Sequence, residues 1–221
     1  MFLPLRLRTI GDLVDPGEKV ADIGADHGLL ELYLIARKKS IKVIAIENKK
    51  GPYENLRTNI GGLKDVILSL SSGLKKVDND VSTLVLAGMG GFNIKSILEE
   101  RPDKLTNIKK IIIDAHRNID VARLAIVNYG FEIEKEVIVY EDNKFYVISV
   151  FKKNEIVHSY SQDEIKFGYK IYENELWPKY KKHLINNNKR TIRKIANKVE
   201  LQDKVLELRK INERLENYGK N

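Results

Sequence analysis

The 221-residue chain has no cysteine, which excludes disulfides, cysteine-ligated zinc, iron–sulfur clusters and thiol catalysis. Histidine is almost as scarce. The four present (His27, His116, His158 and His183) have no i, i+4 pair or other ligand spacing, so no metal site is expected. No apolar run approaches the roughly 18–20 residues that span a bilayer. The N-terminal MFLPLRLRTI is too short and too basic for a signal peptide. These absences lead us to expect a soluble, cytoplasmic protein without membrane contact. A monomer is expected as well, although a helical arm that dimerises is the alternative to one that folds back on itself. Proline is also rare, and with abundant Lys, Ile and Asn this fits an AT-rich genome. The net charge of +8 is therefore weak evidence, by itself, for a nucleic-acid partner.

What is present is globular: 43% hydrophobic and 32% charged residues, enough for a sizeable core. The chain reads as two domains, residues 1–154 and 155–221. In the first, short apolar runs (Lys19–Ile23, Lys42–Glu47, Val66–Ser69, Thr83–Ala87 and Lys109–Ala115) alternate with helical stretches (Gly28–Lys38, Pro52–Gly61, Gly91–Arg101 and Ile119–Asn128). This order predicts an α/β fold whose seven-stranded sheet is mostly parallel. Phe131–Tyr140 and Phe145–Phe151 lie too close together for a crossover helix, so they should form an antiparallel edge hairpin. After Lys153 only Gly168 and Gly219 remain, and two long helical stretches appear, Gln162–Ile185 and Lys189–Asn217. With Asn186-Asn187-Asn188 as the turn, and Ile192, Ile195, Val199, Val205, Leu208, Leu215 and Tyr218 as the apolar stripe, they predict a coiled-coil hairpin. Residues 155–221 also hold most of the excess charge, 15 Lys and Arg against 10 Asp and Glu; residues 1–154 hold 24 against 21.

The first strand runs into Asp22-Ile23-Gly24-Ala25-Asp26-His27-Gly28 and then a helix. A dinucleotide fingerprint would need glycine at 24, 26 and 29, but 26 is Asp and 29 is Leu. The pattern acid-x-Gly-x-x-x-Gly instead resembles the first motif of Rossmann-like S-adenosylmethionine-dependent methyltransferases. That ligand is cationic and lacks phosphate, so carboxylates around the loop suit it. The plain alternative is a glycine turn closing an ordinary βα unit. Glu47, followed by Asn48, ends the second strand, where an acid can accept both ribose hydroxyls. A solvated strand-end carboxylate is the alternative there. Strand four ends in Ala87-Gly88-Met89-Gly90-Gly91, at the edge where open α/β sheets bind ligands. A tight helix start explains these glycines equally well.

Taken together, Arg6-Leu7, Asp22-Ile23-Gly24-x-Asp26-His27-Gly28, Lys50-Gly51-Pro52, Gly73-Leu74, Ala87-Gly88-Met89-Gly90-Gly91 and the stretch from Glu136 to Tyr146 resemble the bacterial tRNA (adenine-22-N1)-methyltransferase family, TrmK. The resemblance covers most of residues 3–150 and, more loosely, Phe167-Gly168 and the helical tail. It implies a Rossmann-like methyltransferase domain followed by a helical coiled-coil domain, S-adenosylmethionine as cofactor and tRNA as partner. Asp22, Gly24, Asp26, Gly28, Glu47, Asn48, Ser72, Gly73, Ala87 and Gly88 are then the cofactor-binding residues. Two departures stand out: Ser72 replaces an Asp expected before Gly73, and Asp114-Ala115 replaces a Gln-Pro at the end of strand five.

Adenine N1 carries an in-plane lone pair and the sulfonium methyl is already activated, so positioning dominates the chemistry. Asp26 and His27 are the catalytic candidates: carboxylates stabilise the cationic product, and one can take a proton from N6. Asp26 holding the cofactor amine, and His27 serving the loop, are the alternatives. Asp22 orients the loop or binds cofactor. Met89, Gly90 and Gly91 are expected at the base, and Arg6, Arg8, Lys189, Arg190, Arg193 and Lys194 at tRNA phosphates. A solvated helix face is the alternative for the basic run. Methylation of another RNA or a small molecule, or RNA binding without catalysis, are the competing functions.

Overall fold

The computed structural model describes residues 3–155 and 158–220, and it divides after Ser159 into two compact units. The first is built on one sheet of seven strands: β1 Glu18–Ile23, β2 Ser40–Glu47, β3 Val66–Leu70, β4 Thr83–Gly90, β5 Lys110–Arg117, β6 Phe131–Glu141 and β7 Lys144–Lys153. Their spatial order is β3-β2-β1-β4-β5-β7-β6, with parallel pairing throughout β1–β5 and antiparallel pairing of β7 to both neighbours. The central strands are buried almost without interruption, as in Val43–Glu47 and Lys110–Ala115, because helices cover both faces of a parallel sheet. The expected edge hairpin is present. Its two-residue turn, Asp142-Asn143, has positive φ at both positions (48° and 59°), the mirror-image turn that matches strand twist.

The chain winds outward from β1 through β2 to β3, then returns to place β4 on the other side of β1. The carboxyl ends of β1 and β4 thus diverge at a topological switch point, where a crevice opens. Helices α2 Leu29–Ala36, α3 Lys50–Ile60, α4 Gly91–Glu100 and α5 Ile119–Asn128 link the strands. Val20, Val43, Val85 and Ile112 of the sheet meet Leu30 and Leu34 of α2 and Ile10 of the N-terminal helix in one core cluster. Helix α1, Leu5–Asp12, lies outside the elements read from sequence. Its first amides, those of Leu5 and Arg6, donate to Oε1 (2.5 Å) and Oε2 (3.2 Å) of Glu141 at the end of β6. The carboxylate satisfies donors that a helix start leaves orphaned. A buried ion pair, Arg123 Nε to Glu136 Oε1 at 2.8 Å, ties α5 to β6.

The second unit is helical but is punctuated differently from the expectation. The first long stretch breaks at Gly168, whose φ of 122° ends α6 Gln162–Phe167, and at a 3₁₀ turn over Ile171–Glu173. Helix α7, Trp177–Ile195, then runs straight through Asn186-Asn187-Asn188, so this triplet is not the turn. Its side chains are engaged within the helix and across it: Asn187 Nδ2 meets His183 Nε2 at 2.8 Å, and Asn188 donates to buried Asn212 at 2.8 Å. Those bonds outweigh the few tenths of a kcal/mol that asparagine costs in a helix. The chain reverses over Ala196–Leu201, where Gln202 Nε2 donates to the carbonyls of Ala196 (2.7 Å) and Lys198 (3.1 Å). Helix α8, Gln202–Asn217, returns antiparallel to α7. Val205, Leu208 and Leu215 are buried as expected, whereas Val199 sits in the turn and is 86% exposed. Tyr218 closes the unit: its ring meets Phe167, Tyr172 and Trp177, and its hydroxyl donates to the Gly168 carbonyl at 2.5 Å.

Candidate functional site

Two cavities open at the switch point. The first, about 600 Å³, lies between the ends of β1, β2 and β4 and the face of α4. Gly24, Asp26, Glu47, Asn48, Ser72, Gly73, Ala87, Gly88 and Met89 line it. The second, about 430 Å³, lies toward α1 and α2, lined by Arg6, Asp22, Gly24, Asp26, His27, Ala87 and Gly88 among others. The two share Gly24, Asp26, Ala87 and Gly88 as a common lip.

The lip is made of unusual backbone. Gly24, Asp26 and Gly28 all have positive φ (86°, 47° and 74°), and aspartate is among the few side chains that tolerate this region. The amides of Gly24 and Ala25 turn back to the Ile46 carbonyl at 2.8 and 3.2 Å, pinning the loop to β2. On the other side β4 is bulged between Ala87 and Gly90, which frees Gly88 from the ladder at φ 77°. A Cβ built on Gly88 would meet nothing within 4 Å, so its missing side chain leaves open space against backbone.

Glu47 is 7% exposed, and its Oε1 accepts from the amides of Asn48 (2.9 Å) and Lys49 (3.0 Å). Those bonds fix the carboxylate at the cavity wall. Ser71, Ser72 and Asn93 add neutral polar groups, and Ile23, Ile46, Met89 and Ile97 add apolar surface. One cation, Lys49, is in this lining, which is a poor cradle for a polyphosphate. A carboxylate for a diol, apolar walls for a flat base and a glycine lip for a close approach fit an adenosyl group. The α4 residues Asn93, Ser96 and Ile97 were not read from sequence, although their spacing after Gly91 puts them on one helix face.

The other expected residues are spread more widely. Asp26 and His27 sit at the mouth, 64% and 60% exposed, with Oδ2 and Nε2 3.6 Å apart. The His27 carbonyl accepts from Asn59 Nδ2 at 3.0 Å. Gly28 lines neither cavity; a Cβ there would come within 2.8 Å of Ile60 Cδ1, so it serves the packing of α2 on α3. Gly90 and Gly91 also line neither, and Gly91 is needed where α4 starts against the Asn118 carbonyl. Of the glycine-rich run expected at the base, Gly88 and Met89 are the part that faces a cavity. Arg6 is not a free phosphate ligand: its Nη1 donates to buried Asp114 Oδ2 at 2.5 Å, and its guanidinium stacks 5.3 Å from the Tyr146 ring centroid. Arg8 is exposed on α1. Lys189, Arg190, Arg193 and Lys194 are exposed on α7 in the other unit.

Beneath the second cavity lies a feature that sequence reasoning missed, a pair of buried carboxyls. Asp22 lies on the same sheet face as Val20, which packs on α2, and there it meets Glu31. Burial, with some repulsion from Glu47, pushes the Asp22 carboxyl up to about 7, against the pull of Glu31 and Arg6. Burial, and then the Asp22 charge, raises Glu31 well above the usual carboxylate range. Glu31 occupies an ordinary helical position, and nothing in its spacing marks a lone acid as buried.

A family model described as a methyltransferase domain matches residues 3–149. The Bacillus subtilis tRNA (adenine(22)-N(1))-methyltransferase is 31% identical over 152 residues, which cover 67% of this chain and 64% of that protein. Among solved structures, an uncharacterized Listeria monocytogenes protein superposes with a TM-score of 0.90 at 27% identity, over 97% of this chain and 98% of that one. A Streptococcus pneumoniae protein, a proposed tRNA (m1A22) methyltransferase solved in complex with S-adenosyl-L-methionine, gives a TM-score of 0.83 at 28% identity. That match covers 96% of this chain and 100% of the other.

Proposed function

Since the chain belongs to the methyltransferase-domain family, and to its TrmK branch, we propose that it methylates N1 of adenine 22 in tRNA with S-adenosylmethionine. The observation that carries this reading is the pair of cavities meeting at the lip of Gly24, Asp26, Ala87 and Gly88. One cavity suits the adenosyl donor, and its neighbour is left for the acceptor base. When bound, S-adenosylmethionine supplies a methyl group on a positively charged sulfur, so no strong nucleophile has to be generated.

The protein's task is then to orient the base and exclude water. Glu47 is placed for the ribose hydroxyls, and Ser72 and Gly73 for the adenine of the cofactor. Ser72 offers a neutral hydroxyl where the family has a carboxylate. Gly88 allows both ligands close to the backbone. Asp26 at the lip opposes the positive charge that passes to the base. Residues 1–154 form the catalytic domain in this reading. Residues 155–221 contact tRNA through α7, with Lys189, Arg190, Arg193 and Lys194 at phosphates. The protein acts as a cytoplasmic monomer.

The test is transfer of labelled methyl from S-adenosylmethionine to unmodified tRNA, followed by nucleoside analysis. The expected product is 1-methyladenosine, lost when adenine 22 is replaced by another base. Label at another site or on another nucleoside, or cofactor binding with no transfer to any tRNA, would overturn the reading.

A further inference from the structure

We infer that His116 selects the acceptor base: held by Asp114, its imidazole accepts a hydrogen bond from the 6-amino group of the substrate adenine. The inference rests on the tRNA adenine methylation proposed above and adds to it what recognises the base.

Strand register places His116 at the site. The β4–β5 pairs Ala87 with Asp114, Met89 with Ala115 and Gly90 with Arg117 pass over one residue on each strand, Gly88 and His116. Facing bulges of this kind take both residues out of the ladder and re-aim what they carry. Gly88 belongs to the lip of the first cavity, so His116 stands beside that lip on its β5 side. The cavity walled by Glu47 takes up the β2 side, and the base has to reach the methyl group from the other.

The ring is held from three elements. Its Nε2 lies 3.4 Å from Oδ2 of Asp114, the buried carboxylate that also takes the Arg6 bond. Oδ1 of Asp114 has no hydrogen-bond partner among the described residues, so Arg6 and His116 are what balance this group. On β7 the Tyr146 ring meets His116 at 5.7 Å between centroids, tilted by 59°, and the Arg6 guanidinium of α1 covers the same tyrosine. The outer edge of the imidazole is open. The side chain is 42% exposed, and Nδ1 has no hydrogen-bond partner among the described residues. Asp114-Ala115 is one of the chain's two departures from the family pattern, so this arrangement is its own.

A lone pair does not face a carboxylate, so Nε2 carries the proton, and in the neutral imidazole Nδ1 is then an acceptor. An acceptor suits adenine, whose 6-amino group donates beside N1, and repels guanine, whose O6 also accepts. It leaves the N1 lone pair uncontested. During transfer that lone pair forms the new bond to the methyl carbon, while the old carbon–sulfur pair stays on sulfur. No proton leaves. The positive charge moves into the purine and is shared by the amino nitrogen, so its hydrogen bond to His116 tightens in the transition state.

The test measures the affinity of the protein, loaded with S-adenosylhomocysteine, for two tRNAs. One carries adenine at the methylated position, and the other carries purine, which lacks the amine. Wild type is compared with His116→Phe, which keeps a ring against Tyr146 but no nitrogen, and with His116→Ala. Wild type should bind the adenine tRNA about fivefold more tightly, as one neutral hydrogen bond predicts, and both variants should bind the two tRNAs equally. Methyl transfer to the adenine tRNA should slow about tenfold in both variants, with cofactor affinity by calorimetry unchanged. Equal binding of the two tRNAs by wild type overturns the inference. A preference that survives the substitutions does so too, even if transfer slows, because His116 then serves only packing. Either result leaves the methyltransferase reading intact, whereas wild type that methylates no tRNA sinks both. If one variant does not fold, the other decides.

Discussion

At the residue scale the buried carboxyls have a cost that can be read in solution. Asp22 moves from 3.8 to about 7 on folding, and Glu31 moves well above 4.5. The folded protein therefore keeps protons that the unfolded chain releases from about pH 4 upward. The stability they contribute is complete below the unfolded values and is lost as pH rises through the folded ones. Wild type should melt at a lower temperature near pH 8 than near pH 5, and Glu31→Gln, which has no proton to lose there, should show a smaller difference. The groups facing the pair are Arg6 and Glu47, and both are present in each protein. Asp15, Asp80 and Asp103 are shifted downward by lysine or arginine partners, so they titrate below this window. Thermal scans across pH check the expectation, and equal slopes in the two proteins refute it. The pair also marks a limit of sequence reading. Asp22 stands out because it precedes a glycine loop, but Glu31 becomes informative through the partner that the fold brings to it.

At the scale of elements, the junction between β4 and α4 carries the strictest requirement. A Cβ on Gly91 would stand 1.9 Å from the Asn118 carbonyl oxygen, a backbone atom at the start of α5. Gly91→Ala must therefore push α4 and α5 apart, and overpacking of this kind costs about 1–3 kcal/mol. Since Asn93, Ser96 and Ile97 on α4 line the first cavity, the same change should weaken cofactor binding. Urea denaturation and calorimetry check both effects; unchanged stability would show that the junction yields freely. The β6–β7 hairpin was legible because Glu141-Asp142-Asn143-Lys144 leaves no room for a crossover helix between two strand-like runs. Helix α1 was not, because eight residues bearing Leu7 and Ile10 make too short a stripe to separate from a loop. The break in the tail was misplaced because Asn186-Asn187-Asn188 has the composition of a turn, while its side-chain partners are visible only in the packed hairpin. The parallel strands were legible to within a few residues, as their burial on both faces leaves continuous apolar runs.

At the scale of the whole molecule, charge is the informative quantity. With α7 unbroken, Lys179, Lys181 and Lys182 join Lys189, Arg190, Arg193 and Lys194 on one helix that has no acidic residue, whereas α8 balances Lys204, Arg209, Lys210 and Arg214 with Asp203, Glu207, Glu213 and Glu216. The tail's excess was visible in the sequence, but its gathering onto a single helix was hidden by the misplaced turn. Reversing two of these charges, Lys189→Glu with Arg193→Glu, should lower tRNA affinity and flatten its salt dependence by about one unit of slope for each phosphate no longer neutralised. Cofactor affinity should not change. Fluorescence anisotropy at several salt concentrations measures this, and an unaltered slope would remove α7 from the RNA-binding surface. The sheet order has a consequence in time as well. A growing chain can pair β1, β2 and β3 once residue 70 has emerged, but the other edge of β1 stays bare until Thr83–Gly90 arrives. On the ribosome, the crevice between β1 and β4 is a seam left open while the first three strands set, and no nascent chain shorter than β4 has a cofactor site to fill.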